Sequence, residues 1–228
     1  MIRVTLLASG VAEAEPLRDA LALRGLPAEV ATPETLRLDF AERRRHDLVV
    51  NCIADHPDPS VRLLVGDALA WMGDIGASVV NGLDAFVVGS SPARQVALFA
   101  HLGLDQPPAR VVAHAGLAPA ALAELGLGAG TAEILDGPPA VVRARAAGER
   151  IRLTFVGGRL VGDAHGLPDA VVAAAAEVMG TASIEFGGVT LCRDSDALCW
   201  LAADSRLDSV PAVLGALAEH VRFRAGLA

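Results

Sequence analysis

The first hundred residues alternate between short apolar segments and helix-length segments, and this alternation restricts the fold more than any other feature of the sequence. Four segments have the length and apolar composition of strands: residues 3–8, 28–31, 47–53 and 78–81. Apolar residues recur with helical spacing over residues 12–24, 61–72 and 92–101, which follow the first, third and fourth of these segments. Strands that are separated by helices pair in parallel, because each helix carries the chain back across the sheet. This half is therefore predicted to be α/β, with a parallel sheet covered on both faces.

The second half has a different pattern. A strand is predicted at residues 109–114 and a short helix at 119–125. Segments 140–146, 150–156 and 159–163 follow as three strands joined by short turns, the second turn formed by Gly157 and Gly158, which predicts an antiparallel meander. A helix at 168–179, buried on most faces, a strand pair at 182–193 and 198–202, and a closing helix at 210–224 complete the chain. We therefore expect an α/β domain over residues 1–108 and an α+β domain over residues 109–228.

The chain contains no lysine, and all 19 of its Lys and Arg positions are arginine. A phosphate-binding P-loop ends in Gly-Lys, Schiff-base chemistry needs a lysine amine, and kinases place a lysine on the nucleotide phosphates. None of these mechanisms is available here in its usual form. Codon bias contributes to the absence, since the chain is rich in Ala, Gly, Arg and Val, but lysine is normally among the commonest residues.

Charge and cysteine usage restrict the partners and the compartment. The net charge of −8 argues against a nucleic-acid-binding protein, which needs a broad basic surface. No apolar run reaches the ~18 residues needed to cross a membrane, and no signal peptide is seen at the start of the sequence. Three cysteines without a C-x-x-C spacing fit a reducing compartment, so we expect a cytoplasmic protein. Cys192 and Cys199 are spaced to face each other across a hairpin, where packing is the favoured role.

Six segments occur in an informative order along the chain. They are residues 79–85 (Val-Val-Asn-Gly-Leu-Asp-Ala), 91–95 (Ser-Pro-Ala-Arg-Gln), 102–112, 151–160 (ending Val-Gly-Gly-Arg-Leu), 183–189 (Ser-Ile-Glu-Phe-Gly-Gly-Val) and 200–206. In this order they resemble the motifs of the ATP-grasp superfamily, and of ribosomal-protein glutamate ligases in particular. The resemblance implies an N-terminal parallel-sheet domain followed by an α+β ATP-grasp-like domain.

The departures from the family pattern indicate a lost activity. The family places one lysine where Pro92 stands here and a second in a small lid subdomain. The chain passes from the short helix almost directly to the strand at 140, so we expect most of that subdomain to be absent. The family's metal carboxylates correspond to Thr190 and Ala202, and Asp204 stands at the position of an asparagine. One aspartate is a poor magnesium site, since Mg²⁺ normally needs carboxylates together with phosphate. We therefore expect no cofactor.

The candidate site residues lie in two loops and at the end of the last strand. Asp55 and His56 follow the third strand, where open parallel sheets bind ligands, and Asp163 and His165 follow the Gly-Gly hairpin. Together with Asp204 they are predicted to form an acid–base or metal site in the groove between the domains. The alternative is that each pair only stabilises its own turn.

The sequence therefore predicts an ATP-grasp-like protein that has lost ATP-dependent ligase activity. It would bind a small molecule or a peptide, or act as the partner subunit of an intact ligase or a biosynthetic complex, and a homodimer is expected because a missing lid exposes apolar surface. Two alternatives stay open. One is an active carboxylate–amine ligase in which Arg94, Arg143 and Arg152 replace the lysines at the nucleotide. The other is an ATP-independent enzyme that uses His56 and His165.

Overall fold

The first part of the chain forms a parallel sheet in the computed structural model, which describes residues 2–36, 48–137, 139–195 and 197–227. The strands are β1 (Val4–Leu7), β2 (Ala28–Ala31), β3 (Leu48–Asn51) and β4 (Ser78–Val80). They lie in the order β2-β1-β3-β4, and every pair is parallel. The inner strands β1 and β3 are buried at all four positions, as expected for strands covered on both faces. The predicted parallel sheet is confirmed.

Within the described residues, four helices belong to this part of the chain. They are α1 (Val11–Ala22), α2 (Pro59–Asp74), α3 (Leu83–Gly89) and α4 (Pro92–His101). α2 begins where the Asp58 carboxylate accepts a hydrogen bond from the Ser60 N–H at 2.8 Å, and Ser91 caps α4 in the same way. A proline follows each cap, at the position where the missing N–H is tolerated. The sequence predicts α1, α2 and α4, whereas α3 is too short for its periodicity to be recognised.

Residues 109–144 form a small unit that we call the three-stranded unit. Its elements are β5 (Ala109–Val112), α5 (Ala118–Leu125), β6 (Ala132–Leu135) and β7 (Ala140–Ala144). β7 lies between β5 and β6 and is antiparallel to both. α5 packs on this sheet through Ala118 and Ala121, which contact the buried Val142. β6 is a strand that the sequence did not predict, so the segment before β7 holds more structure than expected.

A second antiparallel sheet is built from the C-terminal part of the chain. Its strands are β8 (Glu149–Val156), β9 (Arg159–Leu160), β10 (Phe186–Asp194) and β11 (Ala197–Asp204). They lie in the order β11-β10-β8-β9. The predicted Gly-Gly hairpin is confirmed, since Gly157 and Gly158 adopt φ angles of 57° and 74° between the paired strands β8 and β9. The strand pair β10–β11 is confirmed as well.

One predicted pairing is wrong. The meander predicted from the sequence makes β7 and β8 neighbours, but the two strands lie in different sheets. The chain crosses between the sheets at Gly148, which has a φ of 108° and lies against the backbone of Arg193. A Cβ at Gly148 would lie 2.2 Å from the Arg193 carbonyl oxygen, so only glycine fits this crossing. Turn residues mark where strands end, but they do not identify the partner strand.

Two further helices, α6 (Asp169–Thr181) and α7 (Pro211–Arg224), cover different sheets. α6 packs on the C-terminal sheet through Val178 and Met179, while its outer face is exposed, so the prediction that it is buried on most faces is wrong. α7 joins α1 and β1 in the core of the parallel sheet. Residues of the predicted second domain therefore complete the core of the first. No helix in the described ranges is both long and apolar enough to span a bilayer.

Candidate functional site

A charged cluster lies on the C-terminal sheet, where the side chain of Arg152 on β8 reaches across β10 to the end of β11. Arg152 on β8 donates two hydrogen bonds to the two carboxylate oxygens of Asp204, at 2.8 and 2.9 Å. Its Nε lies 3.4 Å from an oxygen of Asp208, which also accepts a hydrogen bond from the Thr154 hydroxyl at 2.8 Å. We call these four residues the Arg152 cluster. A two-pronged guanidinium–carboxylate pair is among the strongest polar contacts in proteins, so the cluster is held rigidly.

Two glycines of β10 make room for the Arg152 cluster. A Cβ at Gly188 would lie 2.7 Å from the Arg152 guanidinium carbon, and a Cβ at Gly187 would lie 2.0 Å from the Asp204 carbonyl oxygen. The guanidinium therefore lies flat against the β10 backbone. Burial would lower the pKa of Arg152, but the carboxylates of Asp204 and Asp208 outweigh burial and hold this pKa above its ordinary value. Arg152 is thus a permanent cation beside two carboxylates.

Arg143, a predicted cofactor-binding residue, ties the three-stranded unit to the C-terminal sheet. Its side chain on β7 is 8% exposed and forms an ion pair with Glu133 of β6 at 2.6 Å. The same guanidinium donates a hydrogen bond at 2.7 Å to the carbonyl of Leu201 on β11. Arg143 is therefore already occupied by partners from both sheets.

Arg94, the third predicted arginine, lines an open groove of about 710 Å³ that we call the helix groove. The groove runs between α2, α3 and α4 on one side and the three-stranded unit on the other. Its walls are mainly apolar, and its polar residues are Arg62, Asp67, Ser90, Ser91 and Arg94. Arg62 lies 3.7 Å from the Asp55 carboxylate. Within the described ranges, no carboxylate lies within ion-pair distance of Arg94, so its charge is available to a ligand.

Asp55 and His56 are bound within their own turn. The Asp55 carboxylate accepts a hydrogen bond from the His56 backbone N–H at 2.8 Å. The His56 ring accepts one from the Asp58 N–H at 3.1 Å through Nδ1. Asp58 in turn caps α2. These contacts are those of a loop that begins a helix, although Asp55 also contacts Arg62 at the wall of the helix groove.

Asp163 and His165 are bound in the same manner. The Asp163 carboxylate accepts a hydrogen bond at 2.9 Å from the backbone N–H of His165, which has a φ of 55°. The His165 carbonyl accepts a hydrogen bond from Arg193 at 3.3 Å. Among the described residues, no three His, Cys, Asp or Glu side chains come together in a group that could hold a metal ion. A common site for Asp55, His56, Asp163 and His165 stays a prediction.

Solved structures share this arrangement over nearly the whole chain. The chain is similar to the RimK domain protein ATP-grasp from Sphaerobacter thermophilus DSM 20745, with a TM-score of 0.74 and 18% identity over 96% of this chain and 99% of that one. This chain has the ATP-grasp fold. It is also similar to the ATP-grasp ligase PsnB complexed with precursor peptide PsnA2 and AMPPNP (TM-score 0.72, 12% identity, 99% and 98% covered). A third similar structure is the macrocyclase MdnC from Microcystis aeruginosa MRC, bound with precursor peptide MdnA (0.70, 11%, 96% and 99%).

The sequence itself matches no protein-family model and none of the curated proteins. The likeness therefore lies in the arrangement of strands and helices. The predicted ATP-grasp resemblance, made from short motifs, is confirmed at the level of the fold.

The positions that the resemblance assigns to metal ligands do not fit a magnesium–nucleotide complex. Thr190 lies opposite both Ala202 and Arg152 in the sheet, so the three positions are adjacent, but threonine and alanine supply no carboxylate. Asp204 does, yet both of its oxygens are bonded to Arg152. Mg²⁺ needs free oxygen ligands in near-octahedral geometry, and a neighbouring guanidinium repels it. In this protein, the cation that lies beside the carboxylates of Asp204 and Asp208 is the guanidinium of Arg152.

The sequence identified Arg152 and Asp204 as candidates but assigned them to different roles. Their pairing depends on the register of β8, β10 and β11, which motifs do not give. Asp208 and Thr154 carry no sequence signal, since one lies in a loop and the other in an ordinary strand pattern. Glu133, the partner of Arg143, was missed because β6 itself was missed.

Proposed function

We propose that this ATP-grasp-fold protein has lost ATP-dependent ligase activity and binds a peptide or small-molecule ligand. The observation that carries the proposal is the Arg152 cluster. A guanidinium holds both oxygens of Asp204, the one carboxylate at the three positions assigned to metal ligands. A divalent cation would have to displace a two-pronged ion pair and then coordinate between a threonine and an alanine. Such a site has too few oxygen ligands for magnesium.

The occupied arginines support the same proposal. Arg143 and Arg152, two of the three residues that could replace the family's lysines, are paired with Glu133 and Asp204. A phosphate group would have to compete with carboxylates that are already close and partly buried. The short connection between β6 and β7, residues 136–139, is the basis for proposing that the three-stranded unit is a reduced lid.

The helix groove is the proposed ligand site. It combines apolar walls with the available charge of Arg94, a combination that suits a ligand with both an apolar part and an anionic group. Two of the similar structures hold precursor peptides, which favours an acidic, apolar peptide segment among such ligands. If the protein is instead the partner subunit of an intact ligase, the helix groove would bind that ligase through the same apolar walls and the charge of Arg94. The homodimer stays a prediction, to be measured by light scattering.

Titration calorimetry with MgATP tests the loss of nucleotide binding. We expect no magnesium-dependent binding and no rise in the melting temperature, whereas a ligand at ~100 times its Kd would stabilise the fold by about 2.7 kcal/mol. Micromolar, magnesium-dependent binding of ATP would overturn the proposal. It would instead support the alternative of an active carboxylate–amine ligase.

The fluorescent apolar anion 8-anilinonaphthalene-1-sulfonate tests the helix groove. Arg94→Gln should weaken its binding about tenfold, since one charge-assisted hydrogen bond contributes about 1.5 kcal/mol. Ala97→Phe, a change at an exposed groove position, should weaken it by filling the groove. Arg18→Gln on α1 is the control and should leave binding unchanged. Equal binding by all four proteins would exclude the groove.

A further inference from the structure

Two cysteines face each other across the β10–β11 hairpin. Cys192 and Cys199 are directly opposed in the antiparallel register. Opposed residues in such a pair have Cα atoms about 4.5–5.5 Å apart, and a disulfide needs about 4.4–6.8 Å between the same atoms. The backbone therefore already has the spacing that a disulfide requires.

The cysteine pair lies where the three-stranded unit joins the rest of the molecule. A cavity of about 320 Å³ is lined by both cysteines, by residues 106–108, which enter the unit, and by residues 144–147, which leave it. We call these two connections the hinge. The Cys192 thiol donates a hydrogen bond to the carbonyl of Ala147 at 2.8 Å. One thiol thus holds a hinge segment directly.

The two thiols differ in their access to solvent. Cys192 is buried, whereas Cys199 is partly exposed in the cavity. Burial, with a smaller effect from Cys192, raises the pKa of Cys199. The reaction of this thiol with a disulfide will therefore be slow at neutral pH and faster in mild alkali, where more thiolate is present. Cys52 lies elsewhere in the core, and burial raises the pKa of its thiol to about 12. Cys52 therefore serves as an internal control that should not react.

We propose that Cys192 and Cys199 are a reversible dithiol–disulfide pair that controls the hinge of the three-stranded unit. The oxidant is a low-molecular-weight disulfide of the glutathione class. The Cys199 thiolate attacks one sulfur of that disulfide, which breaks the S–S bond and releases one thiolate. The Cys192 thiolate, after losing its proton to solvent, then attacks the Cys199 sulfur of the mixed disulfide. A second small thiolate leaves, so the protein loses two electrons and two protons, and the reagent becomes two thiols.

Oxidation also changes the hinge. The S–H group of Cys192 disappears when the disulfide forms, so the Ala147 carbonyl loses its donor. The connection at residues 144–147 should then open more often. The redox state of the pair is in this way linked to the position of the three-stranded unit over the C-terminal sheet.

Mass spectrometry of the full chain with glutathione disulfide at mildly alkaline pH tests the pair. We expect wild type to lose two hydrogen atoms in mass and, after denaturation, to be alkylated at Cys52 alone. Cys192→Ser should stop at a glutathione adduct on Cys199, and Cys52→Ser should behave as wild type. Accumulation of the adduct in wild type, or recovery of all three free thiols, would overturn the disulfide.

Hydrogen exchange tests the hinge. Amides of residues 144–147 should exchange faster in the oxidised protein than in the reduced one, and dithiothreitol should restore the slower rate. Cys192→Ser without any oxidant keeps a hydroxyl donor toward Ala147 and should resemble the reduced protein. A disulfide that forms without any change in exchange at these residues would overturn the link to the hinge.

Discussion

At the scale of single residues, Arg152 occupies the place beside Asp204 where a bound cation would otherwise be needed. A guanidinium and a divalent metal ion both neutralise neighbouring carboxylates, but the guanidinium is covalently attached and cannot be exchanged. The guanidinium therefore offsets one of the two carboxylate charges of the cluster without any ligand. Removing the guanidinium is therefore expected to expose a latent cation site.

Arg152→Ala should leave Asp204 and Asp208 as partly buried neighbours of like charge. We expect a loss of about 1–3 kcal/mol in the free energy of unfolding without divalent ions, since charged groups lose their partner. Millimolar Ca²⁺ or Mn²⁺ should restore part of this loss in the variant and have no effect on wild type. Urea unfolding with and without the ions measures both effects. Arg193→Ala, which removes the exposed ion pair with Glu149, is the control and should show no response to metal.

Gly188→Ala should disturb the same cluster from the opposite side. Its new Cβ would lie 2.7 Å from the Arg152 guanidinium carbon, so the side chain must move and the two-pronged bond to Asp204 is lost. The double variant Gly188→Ala/Arg152→Ala should be less destabilised than the sum of the single changes, because both act on one contact. Gly180→Ala on α6 meets no atom within 4 Å and should be neutral or slightly stabilising. Strict additivity in melting temperature would argue against a common cause.

At the scale of helices and strands, the sequence predicts those elements whose formation depends on neighbouring residues alone. The parallel strands, the capped helices α2 and α4 and the Gly-Gly hairpin all follow from periodicity, caps and turn residues. The pairing of β7 with β5 and β6 cannot be predicted from these local signals, because strand pairing depends on packing between distant segments. β6 has four residues with no clear alternation, Ala-Glu-Ile-Leu, and was missed for that reason. For the candidate site, the sequence predicts only which residue types take part. The distances between these residues depend on the register of β8, β10 and β11.

Asn81 connects the parallel sheet to the C-terminal sheet. It follows β4 with a φ of 54°. Its side chain accepts hydrogen bonds from the N–H groups of Glu185 and Phe186, and donates one to the Phe186 carbonyl at 2.7 Å. Asn51 at the end of β3 donates to the Asn81 carbonyl at 3.1 Å. One buried side chain thus fixes how the two sheets meet.

Asn81→Ala should lower the free energy of unfolding by about 2–4 kcal/mol, because three backbone groups, two buried and one partly buried, lose their partner. Chemical denaturation measures this loss. Ser195→Ala is the matched control, since Ser195 has the same φ of 54° but lies exposed in a turn. Its change should cost less than about 1 kcal/mol. Similar losses for the two variants would mean that backbone strain, and not the side-chain network, determines the effect at Asn81.

At the scale of the whole molecule, Glu185 joins the closing helix α7 to the parallel sheet. It precedes β10, and its carboxylate accepts hydrogen bonds from Arg224 and, at 2.8 Å, from His220, both on α7. Arg224 also donates to the Ser78 hydroxyl of β4 at 3.1 Å. The closing helix is thereby held against an edge of the parallel sheet and against the segment that enters β10.

Acid should weaken this connection. Burial would raise the pKa of Glu185, but the bonds from His220 and Arg224 outweigh burial, and the pKa is lowered from its ordinary value of 4.5. A carboxylate with a lowered folded-state pKa contributes stability that is present above the unfolded-state value and is lost as the pH falls through the folded-state value. Glu185→Gln should therefore be clearly less stable than wild type at neutral pH, and the difference should shrink below about pH 4.

Urea unfolding of both proteins at neutral and acidic pH measures the difference. Glu177→Gln, on the exposed face of α6, is the control for the loss of one negative charge from a chain that carries a net −8. If the control followed the same pH dependence as Glu185→Gln, the effect would come from net charge. A difference confined to Glu185→Gln would instead come from the contacts that hold α7 in place, and α7, the start of β10 and the edge of the parallel sheet would then share one pH-dependent connection.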